Sequence, residues 1–374
     1  MIIGIDGNEA NVERKVGISE YAFELLLQFK KKLSPPLEYK IYLKQKPSDD
    51  FPKETKEWKY RIVGPRRLWT QIGLPFDLFM QKNRPDVFFT PTHYAPRFSP
   101  TPTAIAVMDL SYLHFPDMFK ASDLYQLKQW TGYSVKNAKK ILTISKASKN
   151  DIITAYNVPE EKVIVTYPGI KQAKTNLSSN GQKANMDTIR KQHGINGDYI
   201  LFVGTLQPRK NIERLIEAFS LLKKNNITLV IVGRKGWLYE DIISAPVKFH
   251  VQGLVKFLDF VNEEDLAVLY KFALFFILPS LYEGFGLPIL EAMQYGCPVI
   301  TSNVSSMPEA GGGAALYTDP ENVEDIAQKM QTLIDTPALR KELVEKGYKQ
   351  VKKFSWEKTA QQTLDVLQSI VDQK

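Results

Sequence analysis

Ser280-Leu281-Tyr282-Glu283-Gly284-Phe285-Gly286-Leu287-Pro288-Ile289-Leu290-Glu291-Ala292 sets two carboxylates either side of seven residues. Pro288 suits the first turn of a helix, where a missing N–H is not felt. The N–H groups of Leu287, Ile289 and Leu290 then point out of the helix start, where unpaired donors and the helix dipole attract an anion. Gly284 and Gly286 let the backbone approach a ligand closely, with Phe285 between them. Glu291, about one turn into the helix, can face the same ligand and accept from vicinal hydroxyls such as those of a ribose. Glu283, on the loop, lies nearer the reacting end. Hydroxyl acceptors at both ends and amide donors in the middle describe a pocket for a sugar diphosphate.

Arg209 and Lys210 form a second group. A departing phosphate needs cations, amides or a metal to hold its charge. Arginine grips phosphate through two bonds and lysine supplies a point charge. Cations at a helix start oppose the dipole, so local stability does not account for them. Gly17 permits close backbone approach to a sugar or acceptor. No Asp-x-Asp pair is present, and Glu263-Glu264-Asp265 read as first-turn acids behind Asn262. No metal and no cofactor are therefore expected; the nucleotide sugar is a substrate.

The elements that must carry these groups alternate. Strand candidates are Ile2–Asp6, Lys40–Leu43, Val87–Thr90, Ala104–Met108, Ile141–Ile144 and Val163–Thr166, then Tyr199–Val203, Thr228–Val232, Val255–Phe260, Leu274–Leu278, Pro298–Thr301 and Ala315–Tyr317. Helical patterns separate them, including Ser19–Lys32, Ser145–Tyr156, Ile212–Lys224, Glu263–Phe272 and Leu287–Tyr295. Such βα alternation predicts doubly wound parallel sheets, with ligands at the carboxyl ends of the strands. Residues 171–197, rich in Lys, Gln, Asn and Ser, read as a linker or surface loop in which Met186–His193 can form a short helix. The expected divisions are an N-terminal acceptor-side domain over 1–170, the linker, a donor-binding domain over 198–354 and a final helix over 355–374 opened by Ser355.

The Glu-x7-Glu segment resembles the signature of the family-four retaining glycosyltransferases (group 1 glycosyltransferases). Ile3-Gly4-Ile5-Asp6 with Val16-Gly17-Ile18-Ser19-Glu20-Tyr21, Ala138 to Ser145, Val163 to Gly169, and Phe202 to Asn211 resemble further segments of that family in the same order. The resemblance implies the GT-B fold: two Rossmann-like domains facing each other across a cleft, with the C-terminal helix crossing back to the N-terminal domain and Trp356 as its anchor. It implies a retaining, metal-independent hexosyl transfer from GDP-mannose or a UDP-hexose to a saccharide or lipid-linked acceptor. Lys210, Arg209, Glu283 and Asp109 would be the catalytic group, and Gly17, Thr205, Gly284, Phe285, Gly286, Leu287, Ile289 and Glu291 would help bind the donor. Two departures stand out. Thr205 occupies a position where the family often has arginine, which shifts phosphate work onto Arg209 and Lys210. Met108 precedes Asp109 where many relatives have histidine, and methionine offers no proton; His93 and His114 are nearby candidates.

Composition sets the bounds. The 374 residues suffice for two cores, and 44% hydrophobic with 24% charged residues is ordinary for a globular chain. No apolar run approaches a membrane span, and no leader pattern opens the sequence. The single cysteine, Cys297, excludes an intrachain disulfide. A cytoplasmic enzyme is expected. Of the net charge of +8, residues 1–170 carry +7. That excess fits either a solvated basic face or docking on an anionic membrane at its inner side; no nucleic-acid motif accompanies it. The competing functions are another GT-B enzyme, such as a sugar-nucleotide epimerase, and a catalytically weak sugar-binding relative. A dehydrogenase is excluded because no Gly-x-Gly-x-x-Gly follows the first strand.

Overall fold

Runs of buried β-branched and aromatic residues build a parallel sheet in each half of the chain. The computed structural model describes residues 1–171, 179–223 and 226–373. Contacts divide the chain into one unit of Met1–Gly169 with Phe354–Lys374 and a second of Ile170–Lys353.

The first unit contains β1 (Ile2–Asp6), β2 (Glu38–Leu43), β3 (Trp58–Ile62), β4 (Val87–Thr90), β5 (Thr103–Ala106), β6 (Lys140–Thr143) and β7 (Val163–Val165). They form a seven-stranded sheet in the order β3-β2-β1-β4-β5-β6-β7. The edge strand β3 is missing from the sequence reading. Its alternation of Trp58, Tyr60 and Ile62 is too brief to separate from a loop, and only Trp58 is fully buried, beneath Tyr39 at 5.1 Å between ring centres. The core of this sheet, Ile3, Ile5, Leu25, Phe29 and Ile41 among others, is completed by Trp356, Leu367 and Ile370 of the helix Trp356–Asp372. Ser355 caps that helix by accepting the Lys358 N–H at 3.2 Å, and the Trp356 ring meets Tyr21 edge-on at 5.8 Å. Each such apolar side chain removed from water contributes roughly 1.5–3 kcal/mol. Gly169 packs flat against the start of the helix: a Cβ there would lie 2.0 Å from the Trp356 nitrogen.

The second unit contains β8 (Tyr199–Val203), β9 (Thr228–Val232), β10 (Val255–Leu258), β11 (Phe275–Leu278), β12 (Val299–Ser302) and β13 (Ala315–Thr318), ordered β10-β9-β8-β11-β12-β13. Every residue of β9, β11 and β12 is buried, as in a sheet covered on both faces. The order reverses between β8 and β11, where Phe275 pairs with Ile200 and Phe276 with Leu201. In open α/β sheets such a reversal, at the carboxyl ends of the two strands, is where ligands ordinarily bind.

The segment expected as a linker needs correction. A helix spans Ser179–His193, longer than the one foreseen, and Met186, Ile189 and Ile195 are buried. Three apolar residues in a polar stretch were too few to register as a period, yet they suffice to seat the helix; the Tyr199 hydroxyl lies 3.9 Å from the Met186 sulfur. Residues 172–178 of that segment lie outside the described residues. The strand expected over Val255–Phe260 stops at Leu258, and Phe260 is exposed.

Candidate active site

The basic and acidic groups read as separate in the sequence form one cluster. Arg209 and Lys210 sit in a short 3-10 turn, Pro208–Lys210, beyond β8. Glu283 follows β11, the neighbouring strand. Lys210 Nζ donates to Glu283 Oε1 at 2.5 Å and Arg209 Nη1 lies 3.2 Å from Oε2. Ser280 Oγ donates to Oε1 at 2.7 Å, and Arg209 Nη1 also reaches the Tyr282 carbonyl at 2.5 Å. Side-chain exposure decreases from Arg209 (16%) through Lys210 (10%) to Glu283 (8%), so the guanidinium is the outermost of the three. Burial by itself would raise the Glu283 carboxyl; the charges of Lys210 and Arg209 outweigh it and hold the carboxyl down to about 2.

Local structure explains why the cluster is fixed. Asn211 takes the left-handed conformation (φ 61°) and opens the helix Ile212–Ser220 without capping it by its side chain. Its Nδ2 instead donates to the carbonyls of Pro279 at 3.0 Å and Pro320 at 2.7 Å, tying the β8 turn to the end of β11. Leu281 N–H donates to the Arg209 carbonyl at 2.9 Å. The backbone of Glu283 is gripped by the loop after β12: Ser305 Oγ and Ser306 Oγ both donate to its carbonyl at 2.7 Å. Ser280, Ser305, Ser306 and Asn211 were not singled out in the sequence as site residues. Asn211 stands directly before a helix, where its residue type ordinarily caps the free amides, but its side chain makes these other bonds instead.

The loop and helix after Glu283 bear out some of the local expectations and correct others. The helix runs Leu287–Gln294 with Pro288 in its first turn. Gly286 precedes it at φ 97°, a conformation that favours glycine. Gly284 shows no such angle and is buried. Phe285 and Ile289 are core side chains, so only their backbone can meet a ligand. The Ile289 N–H donates to the Gly286 carbonyl at 3.0 Å, which removes it from the expected set of anion donors. A tightened first turn consumes that amide; the Leu287 N–H has no backbone acceptor among the described residues. Glu291 is partly exposed and accepts from the Tyr270 hydroxyl at 3.0 Å. Tyr270 stacks on Tyr295 at 5.9 Å, and its burial and the Glu291 charge raise its own proton affinity. Thr205 is exposed just past β8, where Gly233 leaves so little room that an added Cβ would touch the Gly204 carbonyl.

Gly17 and Asp109 belong to the first unit. Gly17 is exposed, at φ 57°, before the helix Ile18–Lys31. Asp109 follows β5 and its Oδ1 accepts the Ser111 N–H at 2.9 Å. The side chain of Met108 joins the apolar core. His93 follows β4, the strand beside β5; its Nδ1 is buried without a hydrogen-bond partner among the described residues. Burial lowers its proton affinity against the opposing pull of Asp109. His114 is exposed and lies 3.2 Å from Asp151, a surface pairing. Among the described residues no group of three or more His, Cys, Asp and Glu side chains is arranged to hold a metal ion, and no helix is long and apolar enough to cross a membrane.

Arg209 and Lys210 follow β8 and the helix start at Leu287 follows β11, the adjacent strand; a guanidinium, an ammonium and helix-start amides are groups able to bind phosphate. Comparison with known proteins agrees in kind. A profile described as glycosyl transferases group 1 matches residues 185–350. The chain is 30% identical over 311 residues to the O-antigen chain mannosyltransferase B of Escherichia coli, covering 82% of this chain and 78% of that protein. Among solved structures, sucrose-phosphate synthase from Thermosynechococcus elongatus superimposes with a TM-score of 0.76 at 17% identity over the full length of both chains. The Anabaena protein HepE in complex with UDP and glucose gives 0.73 at 18% identity, over 98% of this chain and 99% of that one. At such identities the two structures speak for the shared fold.

Proposed function

The chain belongs to the group 1 glycosyltransferases, with the GT-B fold, and from that premise we propose that it moves a hexose from a nucleotide diphosphate sugar to a saccharide or lipid-linked acceptor, with retention of anomeric configuration and without a metal. The likeness to an O-antigen mannosyltransferase favours mannose as the sugar, carried by GDP, over a UDP-hexose.

The observation that carries the reading is the Arg209–Lys210–Glu283 cluster at the point where the strand order of the second sheet reverses. In the proposed reaction the bond between the sugar C1 and the β-phosphate oxygen breaks. Arg209, Lys210 and the Leu287 amide take up the charge that appears on the diphosphate. The acceptor hydroxyl oxygen bonds to C1 on the face the phosphate leaves, and its proton passes to the departing phosphate oxygen. Glu291, partly exposed and one turn into the helix, accepts from the ribose hydroxyls. Glu283 has both carboxylate oxygens engaged by its neighbours, so its first task is to fix the two cations in place. Its negative charge then lies under the sugar ring, where it favours the oxocarbenium-like state. Asp109 and Gly17 are proposed for the sugar and acceptor side.

A thermal-shift panel of nucleotide sugars tests the donor. GDP-mannose is expected to raise the melting temperature most, since a ligand bound only by the native state stabilises it. The anomeric configuration of the product, read by NMR coupling constants, tests retention. An inverted product, or no shift with any donor, refutes the proposal.

A further inference from the structure

The first unit carries an apolar surface that its own core does not use. A π-helical turn, Trp69–Gly73, runs into the helix Leu74–Met80. The inward side is fully accounted for: Trp69, Leu74 and Leu78 pack with Tyr42, Val63 and Phe88. Leu68, Ile72, Phe76 and Phe79 recur every three to four residues along the other side, Met80 adjoins Phe79, and all five face water. Phe76 is 66% exposed, Phe79 56% and Met80 68%. Phe98, 75% exposed, is on a loop tied to the same turn, because the Arg97 N–H donates to the Thr70 carbonyl at 3.0 Å. Leu68 and Phe98 both hold positive φ, at 54° and 51°, a conformation that costs large side chains energy and gains them no burial here.

Charge identifies what covers this surface. Residues 65–85 contain Arg66, Arg67, Lys82 and Arg84, all exposed, and a single acid, Asp77. Arg61 neutralises that acid through two bonds, at 2.7 and 2.6 Å. The apolar strip therefore has a cationic cluster at each end and no uncompensated anion. A second copy of the chain, related by a two-fold axis, would bring these clusters against their own equivalents. An anionic bilayer offers acyl chains to the strip and phosphates to its ends.

We propose that the face made by Leu68, Ile72, Phe76, Phe79, Met80 and Phe98 docks into an anionic lipid surface, lying in the plane of the headgroups. This deepens the acceptor side of the proposed function and rests on it only in placing a lipid-linked acceptor in that bilayer.

The test uses the whole chain and vesicle flotation without any donor or acceptor, so its outcome is independent of transfer. Phosphatidylcholine vesicles are compared with phosphatidylcholine vesicles containing phosphatidylglycerol. Capture is expected only with phosphatidylglycerol, and weakens as salt rises. Arg66→Glu with Arg67→Glu should lower capture at least about 25-fold, from about fivefold for each cation lost near the surface. Phe76→Ser with Phe79→Ser should lower it at least about tenfold with an unchanged melting temperature, since neither ring touches the core. Should that pair disturb folding, Phe98→Ser, on a separate loop, is read in its place. Absence of capture, capture indifferent to the phenylalanine changes, or a dimer that those changes dissolve would each overturn the proposal, the last by showing that a second copy covers the surface.

Discussion

Replacing Glu283 by glutamine isolates the charge at the centre of the cluster while keeping its size. In the folded chain burial favours the neutral acid, yet Lys210 and Arg209 hold the carboxyl down from 4.5 to about 2. At roughly 1.4 kcal/mol per pH unit, that difference amounts to about 3 kcal/mol of native-state stability near neutral pH. Removing one member of a buried ion pair costs about 3–5 kcal/mol by general experience, because the partner is left charged and dry; the two figures agree. The sign follows from the direction of the shift. The folded value lies below the unfolded one, so the stabilisation is complete above about pH 4.5 and drains away as pH falls toward 2. Glu283→Gln should therefore lose about 3 kcal/mol at neutral pH, and roughly 1 kcal/mol less than that at about pH 3.5. Amide hydrogen exchange of β8 and β11, which reads opening of this sheet alone, is the assay at both pH values. A loss below about 0.5 kcal/mol at neutral pH, or one that does not shrink in acid, would show that Glu283 is not the counter-charge of the two cations.

Four further outcomes are expected. Arg209→Ala and Lys210→Ala should each slow transfer at least about 100-fold and weaken calorimetric binding of the nucleoside diphosphate, while binding of the bare nucleoside is unaffected. Gly286→Ala should cost about 1–3 kcal/mol, seen as a lower melting temperature, because alanine must then adopt φ 97°. Glu291→Gln should weaken donor binding about five- to tenfold, with a much smaller effect on a donor whose ribose lacks the 2′-hydroxyl, and removal of divalent ions by chelation should leave the transfer rate unchanged.

Most of the fold was legible because parallel strands write themselves as short runs of apolar residues. Phe275-Phe276-Ile277-Leu278 is such a run, and its placement needed no other information. Trp58–Ile62 escaped because an edge strand is half solvated and its pattern fades into the flanking lysines. Of Ser179–His193 only the second half, Met186–His193, was read as helical, because its polar composition masks the few residues that seat it. In the site, residue types were readable and partners were not. Glu283 and the Arg209–Lys210 pair were each found, yet nothing in a linear chain says that residues 73 apart share a bond. The sequence also cannot reveal that the Ile289 amide is consumed by Gly286, since that depends on how tightly the first turn closes. The fit of Asn211 between two proline carbonyls depends on the same kind of long-range closure.

The first unit borrows its last helix from the far end of the chain, whereas the second is one unbroken stretch, Ile170–Lys353. A ribosome delivers the second unit whole before it releases Trp356, Leu367 and Ile370, which the first needs to close its core. Domains ordinarily mature in the order of synthesis. Here the later-made half can reach its native state first, while the earlier-made half waits with an open apolar seam beside Tyr21 and Leu25. Chaperone demand during translation should consequently fall on the beginning of this polypeptide, and a nascent chain halted just short of residue 354 should be protease-resistant in its newer portion and sensitive in its older one.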